Sequence, residues 1–174
     1  MLGSGKRDRE FSEYVQIRRS RLVGTAYLLC GDRHAAEDLV QTALAKLYVA
    51  WPRIRRSGNE DAYVRRILVN ASIDAHRRPW RREERPAAEL PDTPAESPFG
   101  SEDRDELVQA LATLGPRQRR ILVLRYWLGL TIEEVAADLQ ISSGTVKSQS
   151  SKALDNLRRQ LTDTRIEELA EESA

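Results

Sequence analysis

Apolar residues recur at helical spacing along most of the chain, most clearly between Leu130 and Leu161. Ile132, Val135, Ala136 and Leu139 make one short stripe; Val146, Ser150, Ala153, Leu154, Leu157 and Leu161 line one side of a second. Thr131 and Glu134 have capping-box spacing, in which the hydroxyl accepts from the third amide and the carboxylate reaches back to the first. Gln140-Ile141-Ser142 is long enough only for a turn, and Ser142 is a good N-cap. Ile141 and Val146 are spaced as a hydrophobic staple, which sets the angle at which the chain enters the next helix. Together these signals predict a helix-turn-helix.

The same period organises the first half. Phe11, Val15, Leu22, Ala26 and Leu29 predict a first helix that Gly31 ends. Asp32 can cap a second, with Ala36, Val40, Ala43, Leu47 and Ala50 inward, ending at Trp51 before Pro52. Residues 52–61 read as a basic loop with a turn-prone Ser-Gly-Asn. Asn59 caps a third helix whose first-turn Glu60 and Asp61 suit its dipole, with Val64, Ile67, Leu68, Ala71 and Ala75 inward.

Composition changes abruptly at Pro86. Residues 86–103 hold four prolines and five acids without a basic residue, so they cannot bury a core and read as an extended linker. Beyond it, Leu107, Leu111 and Leu114 mark a helix, Gly115-Pro116 a stop and restart, and a further helix spans Arg117 to Leu128. After Leu161 come Glu167, Glu168, Glu171 and Glu172, expected as a frayed acidic tail. Beta-branched alternation is nearly absent. The expected fold is all-α: two small helical domains at 10–85 and 104–162, an acidic Pro-rich linker at 86–103, and a tail at 163–174.

Three outward faces carry the candidate chemistry. On the last long helix, Gly144, Thr145, Ser148, Ser151, Lys152, Asp155 and Arg159 lie opposite the apolar side, with Lys147 at the edge. Small hydroxyls and lysines near a helix N-terminus suit a major groove; a solvated amphipathic helix is the plainer alternative. On the second helix, Asp38, Gln41, Thr42, Ala45 and Val49 mix polar groups with small apolar ones, where a solvated face would favour Lys, Glu and Arg. That mixture suits docking to another protein. On the third, Tyr63, Arg66, Asn70 and Arg77 share a face at spacings of three, four and seven, beside the basic segment. Rings and guanidiniums can stack unpaired bases, an amide can read an edge and arginines hold phosphates; the alternative is a half-buried Tyr63 among solvated arginines. Arg78, Arg81, Arg82 and Arg85 extend that basic surface.

Whole-chain composition narrows the classes. Formal charge is +1 over 174 residues, so the local distribution of charge, not a global field, must attract nucleic acid. One cysteine excludes an internal disulfide framework and fits a reducing cytoplasm. Cys30 with His34 gives two metal-ligand types without a second pair, and Cys30 ends an apolar stripe as a core residue would. No apolar run approaches the roughly 20 residues that span a bilayer, and residues 1–10 are too polar for a signal peptide. No metal, cofactor or membrane is called for.

These residues carry a family resemblance. Gly31-Asp32 and Ala36-Glu37-Asp38-Leu39-Val40-Gln41 resemble the core-binding segment of bacterial extracytoplasmic-function (ECF) sigma factors. Residues 62–70, AYVRRILVN, resemble their −10 element segment. Leu114-Gly115-Pro116-Arg117-Gln118-Arg119-Arg120, Leu124-Arg125-Tyr126 and Gly144-Thr145-Val146-Lys147-Ser148 resemble their fourth region, which reads the −35 element. The match runs in order from about residue 10 to 162, and nothing resembles the middle domain of housekeeping sigma factors. Arg outnumbers Lys heavily, since only Lys6, Lys46, Lys147 and Lys152 are lysines among 28 basic residues; this looks like the actinobacterial sigma-E-like branch.

The resemblance implies a set of roles. Asp38, Leu39, Gln41, Thr42 and Ala45 would dock on the β′ clamp helices of core RNA polymerase, and the second domain would meet the β flap. Arg53, Arg56, Asn59, Tyr63, Arg66, Asn70 and Arg77 would melt the −10 element and capture an extruded base. Thr145, Lys147, Ser148, Ser151 and Lys152 would hold the −35 duplex of promoter DNA, and the acidic linker would lie where nascent RNA later passes. An anti-sigma factor is a further candidate partner. Ser151 departs from many relatives, which carry a larger aromatic or basic residue there. Promoter selection of this kind uses binding energy and needs no catalytic residue. A stand-alone helix-turn-helix regulator would explain residues 130–161 but leave the other two faces idle. A nuclease would need clustered carboxylates, whereas Glu37 and Asp38, adjacent in sequence, point about 100° apart on a helix.

Overall fold

In the computed structural model, residues 2–77 and 101–171 are described, with side chains over 5–73 and 106–160. Every regular element in them is helical, and the chain divides into two units, 1–98 and 99–174. Residues 86–100, most of the expected linker, fall outside the described residues, as do Arg78, Arg81, Arg82 and Arg85.

The first unit packs α1 (Leu2–Cys30), α2 (Arg33–Ser57) and α3 (Glu60–Arg77). Helix α1 starts nine residues before Phe11, and Gly31 leaves it in the left-handed region at φ 74°. Asp32 caps α2 by accepting from the Ala35 N–H at 2.6 Å. Ala36, Val40, Ala43, Leu47, Val64 and Leu68 are buried as their spacing predicts. The buried side of α3 is rotated from the expected stripe, since Val69 and Ser72 are buried while Ile67 and Ala71 are only half so. Ser72 tolerates this because its hydroxyl donates to the Val69 carbonyl at 2.7 Å. Cys30 is core, its thiol on the Asp32 carbonyl at 3.2 Å, and His34 stands exposed.

Helix α2 does not stop at Trp51. It runs through Pro52 to Ser57, so the expected basic loop shrinks to Gly58 and Asn59. An interior proline costs about 3 kcal/mol by removing one N–H and crowding the preceding turn. Burial of Trp51 just before the proline offsets this. Trp51 is 2 % exposed, with its ring 5.2 Å from Phe11 and 5.4 Å from Tyr14, and Arg56 Nε returns a bond to the Pro52 carbonyl at 2.8 Å. Gly58 ends the helix at φ 66°, where a side chain would strain the backbone.

The second unit contains α4 (Ser101–Ala112), α5 (Pro116–Leu122), α6 (Ile132–Leu139) and α7 (Ser143–Glu171). Helix α4 begins within the segment expected as linker, because Ser101-Glu102-Asp103 suits a helix start. It ends before Leu114, which is buried just beyond it. The expected helix from Arg117 to Leu128 widens at Val123–Trp127 into a π-helical turn, in which the Leu128 N–H reaches back to the Val123 carbonyl at 3.1 Å. The turn closes with the Arg125 guanidinium donating to the Leu130 carbonyl. Arg119 is buried, but its Nε donates at 2.8 Å to Leu111, whose carbonyl lies at the negative end of α4. Helix α7 carries the expected frayed tail on as helix to Glu171, with no Gly or Pro after Gly144 to interrupt it.

Candidate nucleic-acid interface

The helix-turn-helix is built as its local signals require. The Thr131 hydroxyl accepts from the Glu134 N–H at 3.2 Å, and Glu134 Oε2 accepts from the Thr131 N–H at 2.8 Å. Gln140 turns the chain in the left-handed region at φ 54°, and the Ser142 hydroxyl accepts from the Thr145 N–H at 3.1 Å. Val146, Ser150 and Ala153 seat α7 inward, leaving Lys147, Ser148, Ser151 and Lys152 exposed on its first turns. Thr145 is half-buried, with its hydroxyl 2.8 Å from that of Ser142, so it belongs as much to the cap as to the outer face. The Ser148 hydroxyl rests on the Thr145 carbonyl at 3.2 Å and can rotate outward.

On α2, Asp38, Gln41, Thr42 and Ala45 are exposed and Leu39 is half-buried. Neighbouring Glu37 is drawn toward α1 by Arg19, 2.6 Å away, so the two adjacent acids serve different sides of the helix.

The uninterrupted α2 changes the geometry of the basic segment. Ala45, Val49, Pro52, Arg53 and Arg56 follow one helical stripe and, with Lys46, Ala50 and Tyr63 of α3, line an open groove of about 730 Å³. Val49 is 81 % exposed there, an apolar side chain beside three cations, and no lining residue is acidic. Of the residues expected at the −10 face, the groove unites Arg53, Arg56 and Tyr63. Asn59 stands exposed on the turn, with its carbonyl accepting from the Tyr63 N–H at 2.9 Å. Arg66 and Asn70 are exposed farther along α3, outside the groove. Arg77 ends α3, and its side chain lies outside those described. Lys46 and Pro52 were not expected in this surface, Ala45 and Val49 were expected on the docking face, and Ala50 was expected inward. Their signal was the i, i+4, i+7 stripe running through the proline.

Two groups of contacts brace the groove's end of the unit. Phe11, Tyr14, Tyr48 and Trp51 form an aromatic corner between α1 and α2, and Arg7 Nη2 donates to the Tyr48 hydroxyl at 2.6 Å. The first-turn acids of α3 are both engaged: Glu60 with Arg55 at 2.9 Å, and Asp61 with Tyr14 at 2.9 Å and Arg18 at 3.1 Å. Burial, then donation to the Asp61 carboxylate, pushes the Tyr14 phenol well above its usual range.

Among the described residues no cluster of His, Cys, Asp and Glu could hold a metal ion, and no helix is long and apolar enough to cross a membrane.

Comparison with known proteins matches both units to one family. Residues 15–82 match the model of sigma-70 region 2, and residues 110–159 match sigma-70 region 4. The RNA polymerase sigma-E factor of Streptomyces coelicolor is 40% identical over 156 residues, covering 87% of this chain and 86% of that protein. The ECF RNA polymerase sigma factor ShbA of Streptomyces griseus is 34% identical over 156 residues, covering 83% and 78%. Among solved structures, the Bartonella quintana sigma factor RpoE, crystallised with the anti-sigma factor NepR, superposes with a TM-score of 0.70 at 26% identity, covering 88% of this chain and 98% of that one. With both sigma regions present in order and relatives matched along most of its length, the chain belongs to the extracytoplasmic-function RNA polymerase sigma factors, on their actinobacterial sigma-E-like side.

Proposed function

We propose that this sigma factor divides promoter selection among three surfaces. Asp38, Leu39, Gln41, Thr42 and Ala45 dock on the β′ clamp helices of core polymerase, while the second unit meets the β flap. Thr145, Lys147, Ser148, Ser151 and Lys152 hold the −35 duplex, with the lysines on phosphates and the serines at base edges. Arg53, Arg56, Asn59, Tyr63, Arg66, Asn70 and Arg77 take the non-template strand of the −10 element. Unstacking a base costs a few kcal/mol, so a surface that binds only the extruded form favours opening at selected sequences. The protein works in the cytoplasm through binding energy alone, with no reaction of its own, and an anti-sigma factor is its expected restraint. Residues 10–85 and 104–162 act as the two DNA-reading domains, joined through the acidic segment.

The observation that carries this reading is the single stripe on α2. It sets Arg53 and Arg56 with Tyr63 around one acid-free groove, on the same helix as the exposed Asp38 and Gln41. A stand-alone regulator would have no use for that pairing. The test adds the purified chain to core polymerase and a promoter library and sequences the transcripts. Initiation from a defined −35/−10 class supports the proposal; DNA binding without initiation would return the protein to the regulator class.

A further inference from the structure

The turn between α2 and α3 is anchored from two directions. Glu60, the first residue of α3, is 8 % exposed, and its Oε1 accepts from Arg55 Nη1 at 2.9 Å. That ion pair ties the last turn of α2 to the first turn of α3 across Gly58 and Asn59. Asp61, about 100° round the helix, reaches the other way to Tyr14 and Arg18 of α1. A helix dipole would be served by carboxylates left in water. Sinking one of them and binding both to neighbouring helices requires another reason. Arg55 and Arg56 also part company: Arg56 folds back to the Pro52 carbonyl on the groove side, while Arg55 turns to Glu60.

We infer that Arg55 and Glu60 are positioning residues for the −10 contact, with Asp61 as the second anchor. They hold Asn59 and the start of α3 in one geometry before DNA arrives. This rests on the proposed −10 role of Asn59, Tyr63 and Asn70. A turn that ordered only on binding could adapt to several bases and would discriminate poorly among them. A turn fixed beforehand cannot adapt, and a misfitting base leaves polar groups unpaired. The pair therefore contributes to base discrimination without touching DNA. A phosphate-binding Arg55 would have no need of a buried Glu60.

The test is a double-mutant cycle in the holoenzyme, with Arg55→Ala, Glu60→Gln and both together. Opening is measured on promoters carrying each base at the captured −10 position, alongside core affinity, closed-complex binding and amide exchange over residues 58–61. Each single variant and the double should lose about tenfold in discrimination, without additivity, because either change breaks the same pair. Exchange in the turn should quicken while core and closed-complex affinities hold. Templates already mismatched at −10 should recover opening but not discrimination. Additive losses, or an Arg55→Ala variant that weakens all bases equally with a shallower salt dependence, would make Arg55 a phosphate contact and overturn the inference. Asn59→Ala and Asn70→Ala run alongside. If both open every promoter normally, the −10 reading itself fails; if they fail to open while the pair's variants discriminate normally, only the positioning role fails. Should the double variant melt early, Arg55→Lys, which keeps the charge but not the guanidinium's forked geometry, should give intermediate discrimination; wild-type discrimination with a loosened turn would overturn the inference.

Discussion

The Tyr14 hydroxyl donates to Asp61 Oδ1 at 2.9 Å, joining side chains 47 positions apart and fixing the start of α3 against α1. The phenol's raised pKa makes this contact sensitive to alkali. In the unfolded chain Tyr14 ionises near pH 10, while in the folded protein it stays protonated well above that. Its contribution is therefore complete below pH 10 and is lost as pH climbs from there toward the folded value. Chemical denaturation between pH 8 and 11.5 should show stability falling more steeply above pH 10 in wild type than in Tyr14→Phe. Equal slopes would mean the hydroxyl is not held.

Replacing Asp38 and Gln41 by Ala and Arg should abolish co-elution with core polymerase while circular dichroism and melting temperature hardly change, because both side chains are exposed. Joint loss of folding and binding would make these residues structural.

Lys147→Ala and Lys152→Ala should each weaken −35 duplex binding at all sequences and lower the salt slope by about one. Substituting Ser148 or Ser151 should instead change which −35 bases are preferred. Preferences unmoved across the set would exclude α7 as the reader.

Asn70→Ala should spare closed-complex formation and reduce opening. A lost base contact of about 1–3 kcal/mol corresponds to roughly 5- to 150-fold, read as permanganate reactivity near the start site. A template mismatched across −10 should recover part of the transcription. Normal opening on duplex DNA would move the contact to the turn at Asn59.

Thr131→Ala removes the acceptor for the Glu134 N–H and should cost about 1 kcal/mol, seen in denaturant unfolding of residues 99–174. An unchanged midpoint would show that Glu134 alone suffices to start α6.

Capping was legible because it is local. Thr131, Glu134 and Ser142 bond within three residues of themselves, and their spacing already says so. Pro52 misled because a strong local rule competed with tertiary packing; Trp51, buried against Phe11 and Tyr14, offsets the lost N–H. The π-helical turn left no trace in the residues themselves. It depends on Leu130 folding back, its N–H on the Leu124 carbonyl and its own carbonyl on Arg125. The extra burial of Val69 and Ser72 likewise reflects how α3 leans on its neighbours. Glu60 and Asp61 were read as dipole partners, and only the three-dimensional neighbours Arg55, Tyr14 and Arg18 add the second role.

The passage of α2 through Pro52 makes it a ruler. Gln41, proposed to sit on polymerase, and Arg53, proposed to meet the strand, are twelve residues apart on one rod, about 18 Å at 1.5 Å per residue. Seating one end sets both the distance and the phase of the other. One residue inserted between Ala45 and Val49 would swing the arginines about 100° round the axis, whereas four would bring them nearly back into phase one turn farther out. A loop after Trp51 would have absorbed either change; a continuous helix transmits both.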